Sequence, residues 1–227
     1  MTKYISLFLF LSLFIIGCAK SDTKGQVQAN SSKVSDYISI SKDESESTKT
    51  IVESEGLDYK DFKQIGRFKY YYFLNKKIIL FNYGFQSDDG LVLLLKKDGE
   101  RYEKKYLLSG KVLRVEITEV KKYNFYCLSV EYTGGHATDY EWSGLKMFKI
   151  TDKNDVDEIW NSTLASKETS GGKTKDYIAK YSIKNDDKGY TIQKDIKEEN
   201  VIDKKKEIKE YSEKYLYDEK SSKIIKE

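Results

Sequence analysis

The only histidine of the chain lies in a segment whose residue types could form a binding pocket. Gly134 and Gly135 directly precede His136, and glycines permit backbone angles or close approaches that other residues do not allow. Asp139 and Trp142 follow shortly after, so a carboxylate and an indole could converge with the imidazole on one ligand. The alternative is a glycine bulge whose histidine caps a loop. These five residues are the candidate ligand-binding site.

Other groups in the sequence do not assemble into a recognisable catalytic motif. A zinc site needs three protein ligands, usually including histidines, and a Ser-His-Asp triad would need a serine in a setting such as Gly-x-Ser-x-Gly. An acidic loop resembles a calcium loop but lacks the glycine and the distal glutamate of an EF-hand, so we interpret it as a turn. Its polar residues are Asp152, Asn154, Asp155 and Asp157. The sequence therefore predicts no catalytic residue, no metal and no cofactor.

The first 17 residues have the pattern of a cleaved export signal. Lys3 and the amino terminus supply positive charge, and Ile5 to Ile16 form an apolar stretch interrupted by two serines. This stretch has about a dozen residues, whereas a helix needs roughly 20 to span a bilayer. We therefore expect residues 1–17 to be removed rather than kept as an anchor.

The apolar stretch ends in Ile15-Ile16-Gly17-Cys18, which resembles the lipobox of bacterial lipoproteins. The resemblance implies that Cys18 receives a diacylglycerol through a thioether, that cleavage follows Gly17, and that the new amino group is acylated, with palmitate as an expected acyl chain. Two or more acyl chains, at ~0.8 kcal/mol per buried CH₂, hold a protein on a membrane permanently. The alternative is ordinary secretion with Cys18 as an incidental residue.

The expected location follows from this resemblance. The protein would be anchored to a membrane of the cell envelope by its N-terminal lipid and would lie outside the cytoplasm, on the outer membrane or the periplasmic face. Cys127 is then the second and last cysteine, so no disulfide can form within the chain, and we expect it to be a small buried apolar residue.

Charge and composition narrow the classes of partner. The chain has 40 basic and 37 acidic residues, and the two signs are interspersed along the sequence, so we expect no basic surface for nucleic acid. Aromatic residues make up 14% of the chain, and such a content is typical of a folded protein. We predict a signal peptide over 1–17, a lipidated cysteine and flexible tether over 18–50, and a β-rich domain over 51–227.

A period of two dominates the chain after about residue 60. Leu91–Leu95 is apolar on both faces, which predicts a central strand covered on both sides. Lys97-Asp98-Gly99-Glu100 indicates a hairpin. In Val112–Val120 we expect Leu113, Val115 and Ile117 to face the core. Further strands are predicted over Phe68–Leu74, Ile78–Tyr83, Tyr102–Leu108, Phe125–Tyr132, Leu145–Ile150, a short piece ending at Trp160, Tyr177–Ile183 and Tyr190–Ile196.

The C-terminal residues fit either a helix or a strand, and we favour a hairpin of Tyr215–Tyr217 with Ile224-Ile225. Closely spaced strands without amphipathic helices between them predict an all-β fold. The expected architecture is a predominantly antiparallel meander that forms a sandwich, a barrel or a curled sheet.

Two function classes remain open on the sequence. The favoured one is a non-enzymatic binding or interaction module in which exposed tyrosines contact an envelope glycan or protein. The other is an envelope hydrolase that acts on glycan or peptide through a pair of carboxylates.

Overall fold

A computed structural model describes residues 37–227, except 87, 138, 139, 152 and 154. Two short helices near the start are followed by a long series of strands, all of which pair in antiparallel fashion. The predicted all-β fold class is confirmed. The elements are β1 (Tyr37–Ser39), α1 (Glu44–Ser54), α2 (Tyr59–Ile65), β2 (Arg67–Phe73), β3 (Ile78–Phe85), β4 (Asp88–Asp98), β5 (Arg101–Ser109), β6 (Lys111–Val120), β7 (Phe125–Ala137), β8 (Tyr140–Ile150), β9 (Val156–Ser170), β10 (Lys173–Asp186), β11 (Gly189–Ile202), β12 (Lys205–Asp218) and β13 (Lys223–Lys226).

The strands form two open sheets. The first has the order β1-β5-β4-β3-β2, and the second runs from β13 to β6 with every strand beside its neighbour in sequence. The second sheet is the predicted meander. It curls on itself, so that β7 and β8 pack against β11 and β12 through the same side of the sheet. The Tyr190 hydroxyl lies 3.4 Å from the Cys127 sulfur, and Lys149 Nζ lies 3.0 Å from the Tyr217 hydroxyl.

Three hydrophobic cores separate four layers of structure. The helices pack on the first sheet through residues such as Ile51, Phe62, Phe81 and Leu94. The other face of the first sheet packs on β7 and β8, and the inside of the curl forms the third core. The second core includes Leu80, Leu93, Leu128, Val130 and Phe148, and the third includes Cys127, Met147, Trp160, Tyr190, Ile192 and Tyr217.

The central strand predicted over Leu91–Leu95 is confirmed. All five side chains have 0% of their surface exposed. Val92 and Leu94 face the helices, whereas the three leucines on the other face lie between the two sheets. Since apolar burial contributes roughly 25 cal/mol per Å², this strand stabilises two of the three cores at once.

Leu113 does not face the core, and this expectation was wrong. Val115 and Ile117 pack against the core between the sheets as expected, but Leu113 is 53% exposed. The pairing of β6 with β7 shifts register between Val112 and Arg114, which makes Leu113 the extra residue of a β-bulge. A bulge breaks the alternation of sides on which the prediction depended.

The described residues include a strand and a helix within the segment 18–50 that was predicted to be a tether. β1 pairs with β5, and α1 starts at Glu44 with the Asp43 carboxylate capping it by accepting a hydrogen bond from the Ser45 amide at 2.8 Å. Only one face of this Ser- and Glu-rich helix is buried, and that face includes Ile51 and Val52. Its polar composition explains why the sequence indicated a tether here.

β10 and β11 form a hairpin in which the Asp186 carboxylate accepts hydrogen bonds from the Lys188 and Gly189 amides. The two predicted hairpins are confirmed: β4 and β5 meet around Gly99, and β12 pairs with β13 through Tyr217 and Ile224. The last pairing shows that the C-terminal residues form strands rather than a helix.

None of the described helices combines the length and the hydrophobicity that crossing a membrane requires.

Candidate functional site

The predicted site at the glycine pair lies where β7 pairs with β8. Gly134 is opposite Trp142, and a Cβ atom added to Gly134 would lie 2.4 Å from Cζ2 of that indole. The indole also meets Tyr132 edge-on, with ring centroids 5.3 Å apart. The residue that comes close to the Gly134 main chain is therefore Trp142 itself, and this packing accounts for the glycine without a ligand.

The rest of the predicted site lies mostly outside the described residues. The register shifts between Gly134 and His136, which places Gly135 in a bulge. The side chains of 135–141 are not among the described ones, and Asp139 lies entirely outside them. Whether His136 and Asp139 converge on a pocket stays a prediction. In the part of the chain that the structure describes, no three His, Cys, Asp or Glu side chains are grouped to hold a metal.

Gly134→Ala is expected to destabilise the protein by about 1–3 kcal/mol, because the new methyl group must displace the Trp142 ring. In a Trp142→Ala background the same substitution should cost less than about 0.5 kcal/mol, since the ring is gone. Urea unfolding of the two single variants and the double variant measures this coupling. An equal cost of Gly134→Ala in both backgrounds would contradict the packing explanation.

A separate cleft opens at the edge of the curl, where the third hydrophobic core gives way to polar residues. We call it the mouth cleft. Its cavity volume is ≈ 520 Å³, which lies within the range of roughly 300–1,000 Å³ common for ligand sites. Its walls come from β6, β7, β9 and β10. They are lined by Arg114, Glu116, Glu131, Leu164, Ala179, Lys180, Tyr181 and Ile183.

The charged groups of the mouth cleft are tied to one another. The Arg114 guanidinium forms an ion pair with Glu116, and its Nη1 lies 3.8 Å from Glu131 Oε1. The Tyr181 hydroxyl donates to the same Glu131 oxygen at 2.5 Å. Burial, reinforced by the Glu131 carboxylate, raises the pKa of Tyr181 well above that of a free tyrosine, so the phenol stays a hydrogen-bond donor at neutral pH.

A buried lysine lies beside this network. Lys194 is the cross-strand partner of Tyr181 and has only 4% of its surface exposed. Its Nζ donates to Ser162 Oγ at 2.6 Å and lies 5.3 Å from the centre of the Tyr177 ring. Burial lowers the pKa of Lys194, although the Glu213 carboxylate opposes this. The third core therefore ends, next to the mouth cleft, in hydrogen-bonded polar side chains such as Lys194 and Ser162.

Tyrosines also surround a second cavity, between α1 and the first sheet. Their hydroxyls are used within the protein: Tyr70 pairs with Thr48 at 3.0 Å, and Tyr102 donates to the Lys76 carbonyl at 3.0 Å. These bonds fix the helix on the sheet. The tyrosines here have a structural explanation, whereas the mouth cleft presents charged groups to solvent, with Arg114 58% exposed.

Cys127 is fully buried, as expected, and burial raises the pKa of its thiol. Such a thiol is a poor nucleophile, because the thiolate is the reactive form.

No protein-family model, curated protein or solved structure matches the chain.

Proposed function

We propose that this chain is a lipid-anchored protein of the cell envelope whose exported domain is a non-enzymatic module that binds a glycan in the mouth cleft. The anchor part of the proposal depends on Ile15-Ile16-Gly17-Cys18. The binding part depends on one observation: Arg114, Glu116, Glu131 and Tyr181 converge on a single cleft.

The chemistry of the mouth cleft suits a polyhydroxylated ligand. A sugar hydroxyl both donates and accepts hydrogen bonds, and the cleft offers a guanidinium that only donates beside carboxylates that only accept. The apolar residues Leu164, Ala179 and Ile183 can contact the C–H faces of a sugar ring. A site of this composition combines apolar contact with a few orienting polar groups.

The network also reduces the cost of binding. Tyr181 and Arg114 both contact Glu131 Oε1, which holds that carboxylate in place before a ligand arrives. Side chains that are already ordered lose less rotational freedom on binding, and this increases affinity. On binding, the hydroxyl groups of the glycan would replace water molecules at side chains that are already held in position.

Arg114→Ala is expected to weaken glycan binding at least tenfold, about 1.4 kcal/mol, while the melting temperature changes little because the arginine is exposed. The matched control is Arg101→Ala, an exposed arginine stacked on Tyr37 outside the cleft. A panel of cell-wall and envelope oligosaccharides identifies the ligand, and calorimetry measures both variants. The proposal fails if no glycan binds, or if the two variants weaken binding equally.

A hydrolase is the second candidate, and one observation favours it. Glu116 and Glu131 both contact Arg114 in the same cleft, and glycan hydrolysis commonly uses two carboxylates. The same oligosaccharides, incubated with the protein and assayed for new reducing ends, separate the two functions. Product that disappears in both Glu116→Gln and Glu131→Gln would establish the enzyme, and binding without product would establish the module.

A further inference from the structure

Strand β2 leaves the first sheet with an uncovered edge. It pairs with β3 on one side and has no neighbouring strand on the other among the described residues. It spans seven residues without a register shift, and two of its five aromatic side chains are exposed, Phe68 at 49% and Tyr72 at 47%. A regular, apolar edge of this kind is a template for pairing with another strand.

The other three sheet edges are protected. β1 has three residues, and β13 has four and contacts β9. β6 carries the bulge at Leu113 and a row of exposed charged side chains. Short length, bulges and charges are the usual means by which proteins prevent edge pairing. β2 is longer than β1 and β13 and has no register shift, and its only charged residues are Arg67 and Lys69.

We propose that two copies of this chain pair through β2, in antiparallel orientation, about a two-fold axis at Tyr70. A two-fold axis perpendicular to the sheet keeps the helices of both copies on the same side. Each residue of one copy is then opposite a residue of the other copy that lies on the same face of β2. The two residue numbers of every such pair add up to the same even number. Such a contact is isologous and closes at two copies.

The sequence of β2 is self-complementary in this register. Phe68 of one copy faces Tyr72 of the other, so the two exposed aromatics cover each other. Lys69 faces Tyr71 of the other copy, which extends the cation–π contact that Lys69 already makes with Tyr71 in its own strand at 4.7 Å. Aromatic pairs directly opposite one another stabilise an antiparallel sheet.

Charge selects this register over its neighbours. A shift of one step in one direction places Lys69 against Lys69 of the other copy, and like charges opposite one another are unfavourable. A shift the other way leaves Arg67 and Phe68 without a partner in β2. The register centred on Tyr70 pairs all seven residues, and it places both basic side chains against aromatic ones.

Disulfide trapping tests the proposal directly. Two variants of the full-length mature chain are prepared, Phe68→Cys and Tyr72→Cys, both with Cys18→Ser, which leaves only the buried Cys127 as another thiol. Mixed and oxidised, they should form a covalent heterodimer, and each variant alone should stay unlinked. Phe68→Cys mixed with Tyr71→Cys is the register control and should also stay unlinked.

Two results would overturn the proposal. One is the absence of a cross-link in the mixture when both variants keep the melting curve of the parent chain. The other is an equal yield of cross-link in the register control or within either variant alone. Sedimentation of the Cys18→Ser mature chain, which has no lipid through which to associate, gives a second measurement: the weight-average mass should rise towards twice the monomer with concentration, and a constant monomer mass would contradict pairing.

Discussion

Leu93→Ala and Leu94→Ala should each destabilise the protein by about 2–5 kcal/mol, although the two side chains point to opposite faces of β4. Leu94 lies in the core beneath the helices and Leu93 in the core between the sheets, and both are fully buried. Each substitution removes several buried carbons and leaves a cavity that the neighbours fill only partly. Chemical denaturation of the purified domain measures both costs.

Leu113→Ala is the matched control for these variants, because it makes the same chemical change on the exposed bulge of β6. Its cost should stay within about 0.5 kcal/mol, as is usual for exposed positions. A large cost for Leu93→Ala together with a small one for Leu94→Ala would mean that the helices do not cover the first sheet. That result would contradict the layered architecture.

The strands were predictable because their signal is local. Alternation of apolar and polar residues, turn residues such as Gly99, and the apolar run Leu91–Leu95 depend only on neighbours in sequence. The helices were missed for a physical reason. α1 has few apolar residues and buries Ser47 and Thr48 on its inner face, so its amphipathic pattern is weak. The Leu113 bulge was missed because register depends on the partner strand.

The mouth cleft could not be predicted in the same way, because its residues come from distant parts of the chain. Glu131 and Tyr181 are 50 positions apart, and only the curl of the second sheet brings them together. One signal was present in β7, whose inner face changes from Phe125 and Cys127 to Ser129 and Glu131. An inward face that becomes charged towards one end indicates where a core opens to solvent.

The glycine pair illustrates the reverse situation. Gly134 and Trp142 were singled out together from sequence, and the structure does bring them into contact. The contact is one of packing, since the indole occupies the space that a side chain at Gly134 would need. The sequence indicated that Gly134 has a special role, but it did not show that the reason is the packing of Trp142.

Cys18→Ser should abolish membrane anchoring completely. A thiolate is the nucleophile for diacylglyceryl transfer, and a serine hydroxyl is far less nucleophilic at neutral pH. Without the lipid, the apolar stretch Ile5–Ile16 is too short to span a bilayer as a helix. The variant should accumulate as an unprocessed precursor or as a product released in soluble form.

Lipid attachment at Cys18 is the central claim, and intact-mass spectrometry combined with detergent phase partitioning tests it most directly. The unsubstituted protein should begin at Cys18, carry the mass of its acyl chains and enter the detergent phase, whereas Cys18→Ser should lack that added mass and leave the detergent phase. A native chain that begins at another residue without acyl mass, or a Cys18→Ser chain that partitions unchanged, would contradict the account.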